Sequence, residues 1–229
     1  MNTSATCAPV IAFLERLTDA QASELRALGT RRRFPDGASL FFEGDDAHDA
    51  IILTAGEAKA TVTAPDGREV ILDVLPAGAL VGEISAIDGR PRSATVTALG
   101  AVEVLSVPCG AFAAFLRRHP GVLYQLLVDV AERLRASDRR QLEFGTADAL
   151  GRLCGRLVEL GERYGRTWAD GTIEVHSPLT QAELASWTGM SRDAVVKSLR
   201  ALRRLGWADN QGAVFTLRDP AKLRQRAIG

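Results

Sequence analysis

This 229-residue chain is poor in the residues that most often carry chemistry. It holds three cysteines, three histidines and two methionines, and only 6% of it is aromatic. Cys7, Cys109 and Cys154 are odd in number and far apart, with no Cys-x-x-Cys pair. That pattern argues against a disulfide framework and against a cysteine-held zinc or iron–sulfur centre. His48, His119 and His176 share no close spacing and read as surface or loop residues rather than metal ligands. A cupin-like catalyst would need His and carboxylate ligands converging on one pocket. Neither that pattern nor a Ser-His-Asp or Cys-His arrangement stands out, so we expect no catalytic residue, no metal and no cofactor. No apolar run approaches the roughly 20 residues of a membrane span. The N-terminus lacks a basic start, and Glu15 and Arg16 interrupt its apolar stretch. Both points argue against a signal peptide and predict a cytoplasmic protein with no membrane partner.

The chain also lacks a net charge, with 28 basic and 28 acidic side chains. The balance is uneven along its length. Residues 1–142 carry 15 basic and 18 acidic groups, a balance of −3, and residues 143–229 carry 13 and 10, a balance of +3. Within residues 180–229 the count is 9 against 4. The C-terminal end is therefore the better candidate for an anionic polymer, although a solvated basic face would give the same count.

The apolar pattern divides the chain. Residues 9–28 read as short helices, with Ile11, Phe13, Leu14, Leu17, Leu25 and Leu28 apolar. Gly44, Gly56, Gly67, Gly78, Gly89 and Gly100 then follow 11 or 12 residues apart. Between them lie strand-like runs at Ala50–Thr54, Ala58–Thr63, Val70–Leu75, Ala94–Ala98 and Val102–Val107. Short strands at that spacing predict a sandwich or jelly roll. From about Pro120, Leu123, Leu127, Val130, Leu134, Ser137, Gln141 and Phe144 form a heptad seam, which favours a dimer contact over packing on the helix's own domain. Leu150–Tyr164 reads as another helix, and Thr167–His176 as a hairpin turning at Asp170-Gly171.

Two segments carry chemistry. The string from Val81 to Val96 places Gly82-Glu83 and a lone Arg92 at opposite ends of one excursion between strands. An arginine fork suits a phosphate, a carboxylate accepts hydrogen bonds from sugar hydroxyls, and glycine lets the backbone come close. Further on, Thr180-Gln181-Ala182-Glu183 is a capping box that opens a helix with Leu184, Ala185 and Trp187 apolar. Gly189 breaks that helix and Ser191 caps the next, whose buried stripe is Val195, Leu199 and Leu202 and which Gly206 ends. Trp207–Thr216 reads as a two-stranded wing.

The first string resembles the phosphate-binding cassette of cyclic-nucleotide-binding domains, and departs from it at Val81, where many members carry Phe. The resemblance implies that Glu83 holds the ribose 2′-hydroxyl and that Arg92 and Ser93 hold the cyclic phosphate. It also implies that Ser85 and Ala86 open a short helix facing the anion, with Gly82, Ile84 and Ala94 completing the ligand set. The second segment resembles the winged helix-turn-helix of Crp–Fnr regulators. Thr180, Gln181, Ser191, Arg192, Asp193 and Lys197 then become the DNA-binding set. Arg192, Asp193 and Lys197 stand near the start of the recognition helix, from which side chains reach base edges. Asp and Lys replace the family's Glu and Arg, so the target sequence does not transfer from the best-known relatives.

The resemblance spans nearly the whole chain and implies an α+β protein in three parts. These are a cyclic-nucleotide-binding β jelly roll at 1–119, a dimerisation helix and hinge at 120–145, and a winged helix-turn-helix DNA-binding domain at 146–229. On the long helix it implies that Ser137 and Asp138 face the base, with Asp138 placing a charge where relatives carry a hydroxyl. The implied function is a homodimeric transcription regulator whose partners are a palindromic double-stranded operator and RNA polymerase. Its expected effector is cyclic AMP, with cyclic GMP as the other candidate. The alternative is a regulator of the same family that answers a different small ligand or binds DNA constitutively.

Overall fold

A computed structural model of the protein describes residues 13–228. These residues fall into two compact units, 13–134 and 135–228. Cys7 and Ile11 lie outside the described residues.

The N-terminal unit opens with a single 3-10 turn, Phe13–Arg16, followed by α1 (Asp19–Leu28). Thr18 caps α1 in a box with Gln21. Ten strands follow among the described residues, six of them in this unit: β1 (Thr30–Phe34), β2 (Ser39–Phe41), β3 (Asp49–Thr63), β4 (Glu69–Leu75), β5 (Leu80–Val81) and β6 (Thr95–Pro108). They form one antiparallel sheet in the order β1-β6-β3-β4, with β2 on β6 and β5 on β3. Between β5 and β6 lies the short helix α2 (Glu83–Asp88), and after β6 come α3 (Cys109–Arg118) and α4 (Pro120–Thr146).

The runs read from sequence as four short strands are two long ones. Ala50–Thr54 and Ala58–Thr63 belong to β3, and Ala94–Ala98 and Val102–Val107 belong to β6 apart from Ala94. Both strands bend rather than stop. The register of β3 against β6 shifts between Leu53 and Ala55 and again between Ala55 and Glu57. Gly56 sits at that bend with φ 80°. A side chain there would be strained and would also strike the Ala101 carbonyl. All six regularly spaced glycines have positive φ, so their period records turn and bend geometry.

Burial on both faces of β3 explains its continuous apolar run. Ala50 and Ile52 face a core with Phe13, Leu25, Leu105, Phe112, Phe115 and Leu126. Ile51 and Leu53 face the opposite core with Leu40, Val81, Val96 and Val104. Successive residues in a strand point to opposite faces, so a strand between two cores cannot alternate apolar with polar. α3 escaped the sequence reading because it begins directly after a strand, yet its Phe112, Phe115 and Leu116 supply much of the first core.

α4 buries Val122 and Leu126 in its own unit. The heptad seam lies elsewhere on the helix. Leu123, Leu127 and Leu134 are exposed at 43%, 62% and 62%, while Val130 is half-buried. The seam's leucines thus face away from the core that Val122 and Leu126 enter, while Val130 of the seam packs against that core.

The C-terminal unit contains the end of α4 and then α5 (Ala149–Tyr164), α6 (Gln181–Thr188), α7 (Arg192–Leu205) and α8 (Pro220–Ile228). β7 (Gly165–Thr167), β8 (Ile173–His176), β9 (Ala208–Gln211) and β10 (Val214–Leu217) make one antiparallel sheet ordered β7-β8-β10-β9. The predicted hairpin and wing are thus parts of the same sheet, joined by the pairing of β8 with β10. No helix among the described residues is long and apolar enough to cross a membrane.

Substituting Gly56 by Ala should destabilise the β domain by roughly 2 kcal/mol or more, from left-handed backbone strain and overlap with the Ala101 carbonyl. Denaturant unfolding of the variant checks this, and an unchanged midpoint would contradict the bend.

Candidate ligand cassette and nucleic-acid interface

The cassette is built where β5 ends. β5 pairs with β3 through Ile51 opposite Val81 and Ile52 opposite Leu80, which sets the start of β3 level with the first cassette residues. Gly82 turns the chain with φ 72° and is the N-cap of α2, which starts at Glu83. The helix therefore begins two residues before the expected Ser85. A methyl group on Gly82 would overlap the Arg92 guanidinium. Ser85 is buried and its hydroxyl donates to the Pro91 carbonyl at 3.3 Å. The Arg92 backbone is fixed by two bonds, its N–H to Asp45 O and its carbonyl from Gly44 N–H, both 2.9 Å. Ile84 and Ser93 are exposed, and Ala94 is half-buried.

Arg92 and Glu83 are both buried, at 4% and 1% exposure, and each meets an opposite charge. Arg92 Nη2 donates to Asp49 Oδ1 and to the Asp49 carbonyl, both at 2.6 Å. Its Nη1 donates to the Gly82 carbonyl at 3.1 Å. The guanidinium lies 4.2 Å from the centre of the Phe41 ring, a cation–π contact. Arg92 Nε is buried with no hydrogen-bond partner among the described residues. Ser106 Oγ donates to Asp49 Oδ2. Glu83 Oε1 accepts from Arg133 Nη1 at 2.6 Å, and Arg133 Nη2 also reaches the Leu80 carbonyl at 3.1 Å. Cys109 feels the same charges: burial pushes its thiol up, Arg92 opposes that and Asp49 adds to it.

The sequence reading missed Arg133 and Asp49. Arg133 had a signal. Val122, Leu126, Asp129 and Arg133 recur at spacings of 4, 3 and 4, one helical face that turns from apolar to charged. Asp129 on that face pairs with Arg16. Asp49 had none, because only the pairing of β3 with β5 brings it to the cassette. Ser137 and Asp138 are exposed on α4 and belong to the C-terminal unit.

In that unit the helix-turn-helix is formed as its caps dictate. Glu183 N–H donates to Thr180 Oγ1 at 3.2 Å, and Thr180 N–H to Glu183 Oε2 at 2.9 Å. Gly189 adopts φ 63°, and the Phe144 ring from the end of α4 lies where a side chain on Gly189 would be. Ser191 Oγ accepts from Ala194 N–H at 3.2 Å and starts α7. The buried stripe of α7 is Val195, Ser198 and Leu202, while Leu199, expected in that stripe, is only half-buried. A buried ion cluster mounts the helices. Arg156, 5% exposed, pairs with Glu143 of α4 and with Glu159 at 2.6 Å, and lies 5.4 Å from the Trp187 ring of α6. Nearby on α5, burial pushes the Cys154 thiol up to about 11.

Thr180, Gln181, Ser191, Arg192, Asp193 and Lys197 are all exposed. Lys197, Arg200, Arg203 and Arg204 line one open concavity on α7. Arg203 is committed to Asp209 at 2.6 Å, whereas Lys197, Arg200 and Arg204 have no acidic partner among the described residues. Arg200 and Arg204 extend the basic face beyond the residues read from sequence.

The two units match two families. Residues 31–119 match the cyclic nucleotide-binding domain family, and residues 151–226 the Crp-like helix-turn-helix domain family. The chain is 32% identical to a CRP-like cAMP-activated global transcriptional regulator of Mycobacterium tuberculosis, over 85% of this chain and 86% of that protein. It is 30% identical to a cyclic AMP receptor protein of Thermus thermophilus, over 87% of this chain and 88% of that one. Among solved structures, the c-di-GMP responsive global regulator CLP of Xanthomonas campestris superposes with a TM-score of 0.75 at 21% identity, covering 87% of this chain and 99% of that one. A ligand cassette in one unit and a winged helix-turn-helix in the other define a DNA-binding transcription regulator. The chain belongs to the Crp–Fnr family.

Replacing Lys197, Arg200 and Arg204 together by Gln should leave thermal stability unchanged. It should flatten the salt dependence of DNA affinity by about 2–3 in slope, near 0.9 per lost phosphate contact. A binding titration across salt concentrations measures this, and an unaltered slope would remove α7's basic face from the interface.

Proposed function

We propose that this regulator binds a cyclic nucleotide, cyclic AMP in the first place, in the Gly82–Ala94 cassette, and that binding controls its hold on DNA. The observation that carries the reading is the buried pair of opposite charges within one cassette, Glu83 and Arg92. Each already meets an opposite charge within the protein, and a ligand that supplies phosphate and hydroxyls offers each a second partner. A ribose hydroxyl needs an acceptor and a cyclic phosphate needs a forked donor, and these two residues supply them. The names of the Mycobacterium and Thermus relatives support cyclic AMP over other nucleotides.

Control of DNA requires that the ligand favour one of two arrangements, typically by ~1–3 kcal/mol. Arg133 ties Glu83 to α4, so a ligand that reorders Glu83 acts directly on that helix. The exposed seam at Leu123, Leu127 and Leu134 supports a homodimer formed along α4. Two recognition helices related by a two-fold axis read half-sites one helical turn apart, hence a palindromic operator. RNA polymerase is a further partner proposed for the DNA-bound regulator.

A second reading keeps the DNA module and changes the ligand. Asp138 supports it, since a carboxylate replaces the hydroxyl expected beside the base. So does the fold shared with CLP of Xanthomonas campestris, a c-di-GMP responsive global regulator. Calorimetry against a nucleotide panel separates the two readings. Under the first, cyclic AMP gives heat and 5′-AMP does not. Arg92→Gln should weaken cyclic AMP binding at least ~10-fold, the effect of losing a hydrogen bond to a charged group, while nonspecific DNA binding at matched salt stays the same. Unchanged nucleotide affinity in that variant would overturn the cassette assignment.

A further inference from the structure

We propose that Asp49 is a built-in counter-anion that an effector phosphate must displace from Arg92, so that this one carboxylate sets the effector affinity. The inference rests on the assignment of Arg92 as the phosphate-binding residue.

The guanidinium is closed on every side that the structure describes. Its Nη2 faces the Asp49 carboxylate and carbonyl, its Nη1 the Gly82 carbonyl, and one face lies over Phe41. The Arg92 side chain is 3% exposed. An anion from solvent therefore reaches it only by moving a neighbour. Two of these acceptors are backbone carbonyls fixed by the sheet and by the α2 turn, and Phe41 carries no charge. The Asp49 carboxylate is the remaining candidate. It has the sign of the incoming phosphate, so the two compete for one cation. It is also the more accessible partner, at 18% exposure. Ser106 already donates to its second oxygen, so a displaced Asp49 keeps a hydrogen bond. Arg92 Nε, buried and unpartnered, is a further donor for a phosphate oxygen once the carboxylate has swung away.

The consequence is an affinity below what the cassette's donors alone would give. Neutralising Asp49 should raise it. Calorimetry at one fixed ionic strength would compare the natural protein with Asp49→Asn, Asp49→Ser and the double change Asp49→Asn with Arg92→Gln. The probes are cyclic AMP and, separately, inorganic phosphate. Asp49→Ser keeps a hydroxyl beside Ser106 and serves if the Asn variant folds poorly. Both single variants should bind cyclic AMP and phosphate about 10-fold more tightly, as when one charged hydrogen bond no longer has to be broken. The gain should vanish in the double variant. Cyclic AMP affinity that is unchanged or weaker in the single variants overturns the counter-anion and leaves the nucleotide reading standing. Arg92-dependent tightening for phosphate, with no cyclic nucleotide bound by any protein, keeps the counter-anion and overturns the nucleotide reading. No gain for either probe overturns the counter-anion.

Discussion

Burying a guanidinium and a carboxylate in one short excursion constrains everything around them. An unpaired buried charge costs several kcal/mol, so Arg92 and Glu83 each require a partner of opposite sign. Asp49 at the start of β3 and Arg133 on α4 meet that need. The cassette is thereby tied at one end to the central strand of the sheet and at the other to the long helix. Gly82 makes the arrangement compact enough, since its lack of a side chain leaves room for the guanidinium. A ligand that supplies its own phosphate and hydroxyls offers both residues a second set of partners. Exchange between two sets of ion contacts is the kind of two-state change on which a switch depends.

The C-terminal unit uses the same device for a different purpose. Arg156 is buried among Glu143, Glu159 and Trp187, and Glu159 also pairs with Arg163 at 2.7 Å. These contacts join the end of α4, the length of α5 and the first helix of the helix-turn-helix. Phe144 against Gly189 adds an apolar contact at the turn itself. The basic face of α7 stays outside this network, and its Lys197, Arg200 and Arg204 have no acidic partner among the described residues. In this unit the charges that join the helices are paired inside, and those of the α7 face are left in solvent, where they cost little to hold.

Much of this was legible in the chain. Caps, turn glycines and apolar spacing located α1, α5, α6, α7 and the wing, because those signals are local and one residue's role is set by neighbours a turn away. The ordered string from Gly82 to Ala94 carried the cassette for the same reason. What escaped depends on pairing across the sheet. The bends that fuse four apparent strands into β3 and β6 look like strand ends in sequence, since a glycine at positive φ serves either purpose. Asp49 lies 43 residues from Arg92, and no local pattern announces it. The seam on α4 was read as one apolar face, yet Leu123, Leu127 and Leu134 are exposed while Val130 packs on the domain's own core beside Val122 and Leu126, and only the fold distinguishes them. Ser198 in place of Leu199 on the buried side of α7 is a shift of one position, within the reach of a helix that turns slightly as it packs.

Control of the DNA reader by a ligand at the cassette is the proposal to test. The most direct measurement is a DNA-binding titration against a random-sequence library at one fixed salt concentration, with and without cyclic AMP. If cyclic AMP governs the reader, a palindrome with half-sites one helical turn apart is enriched when the nucleotide is present, and little or not at all when it is absent. Equal enrichment in both conditions would contradict it, leaving a DNA reader that cyclic AMP does not govern.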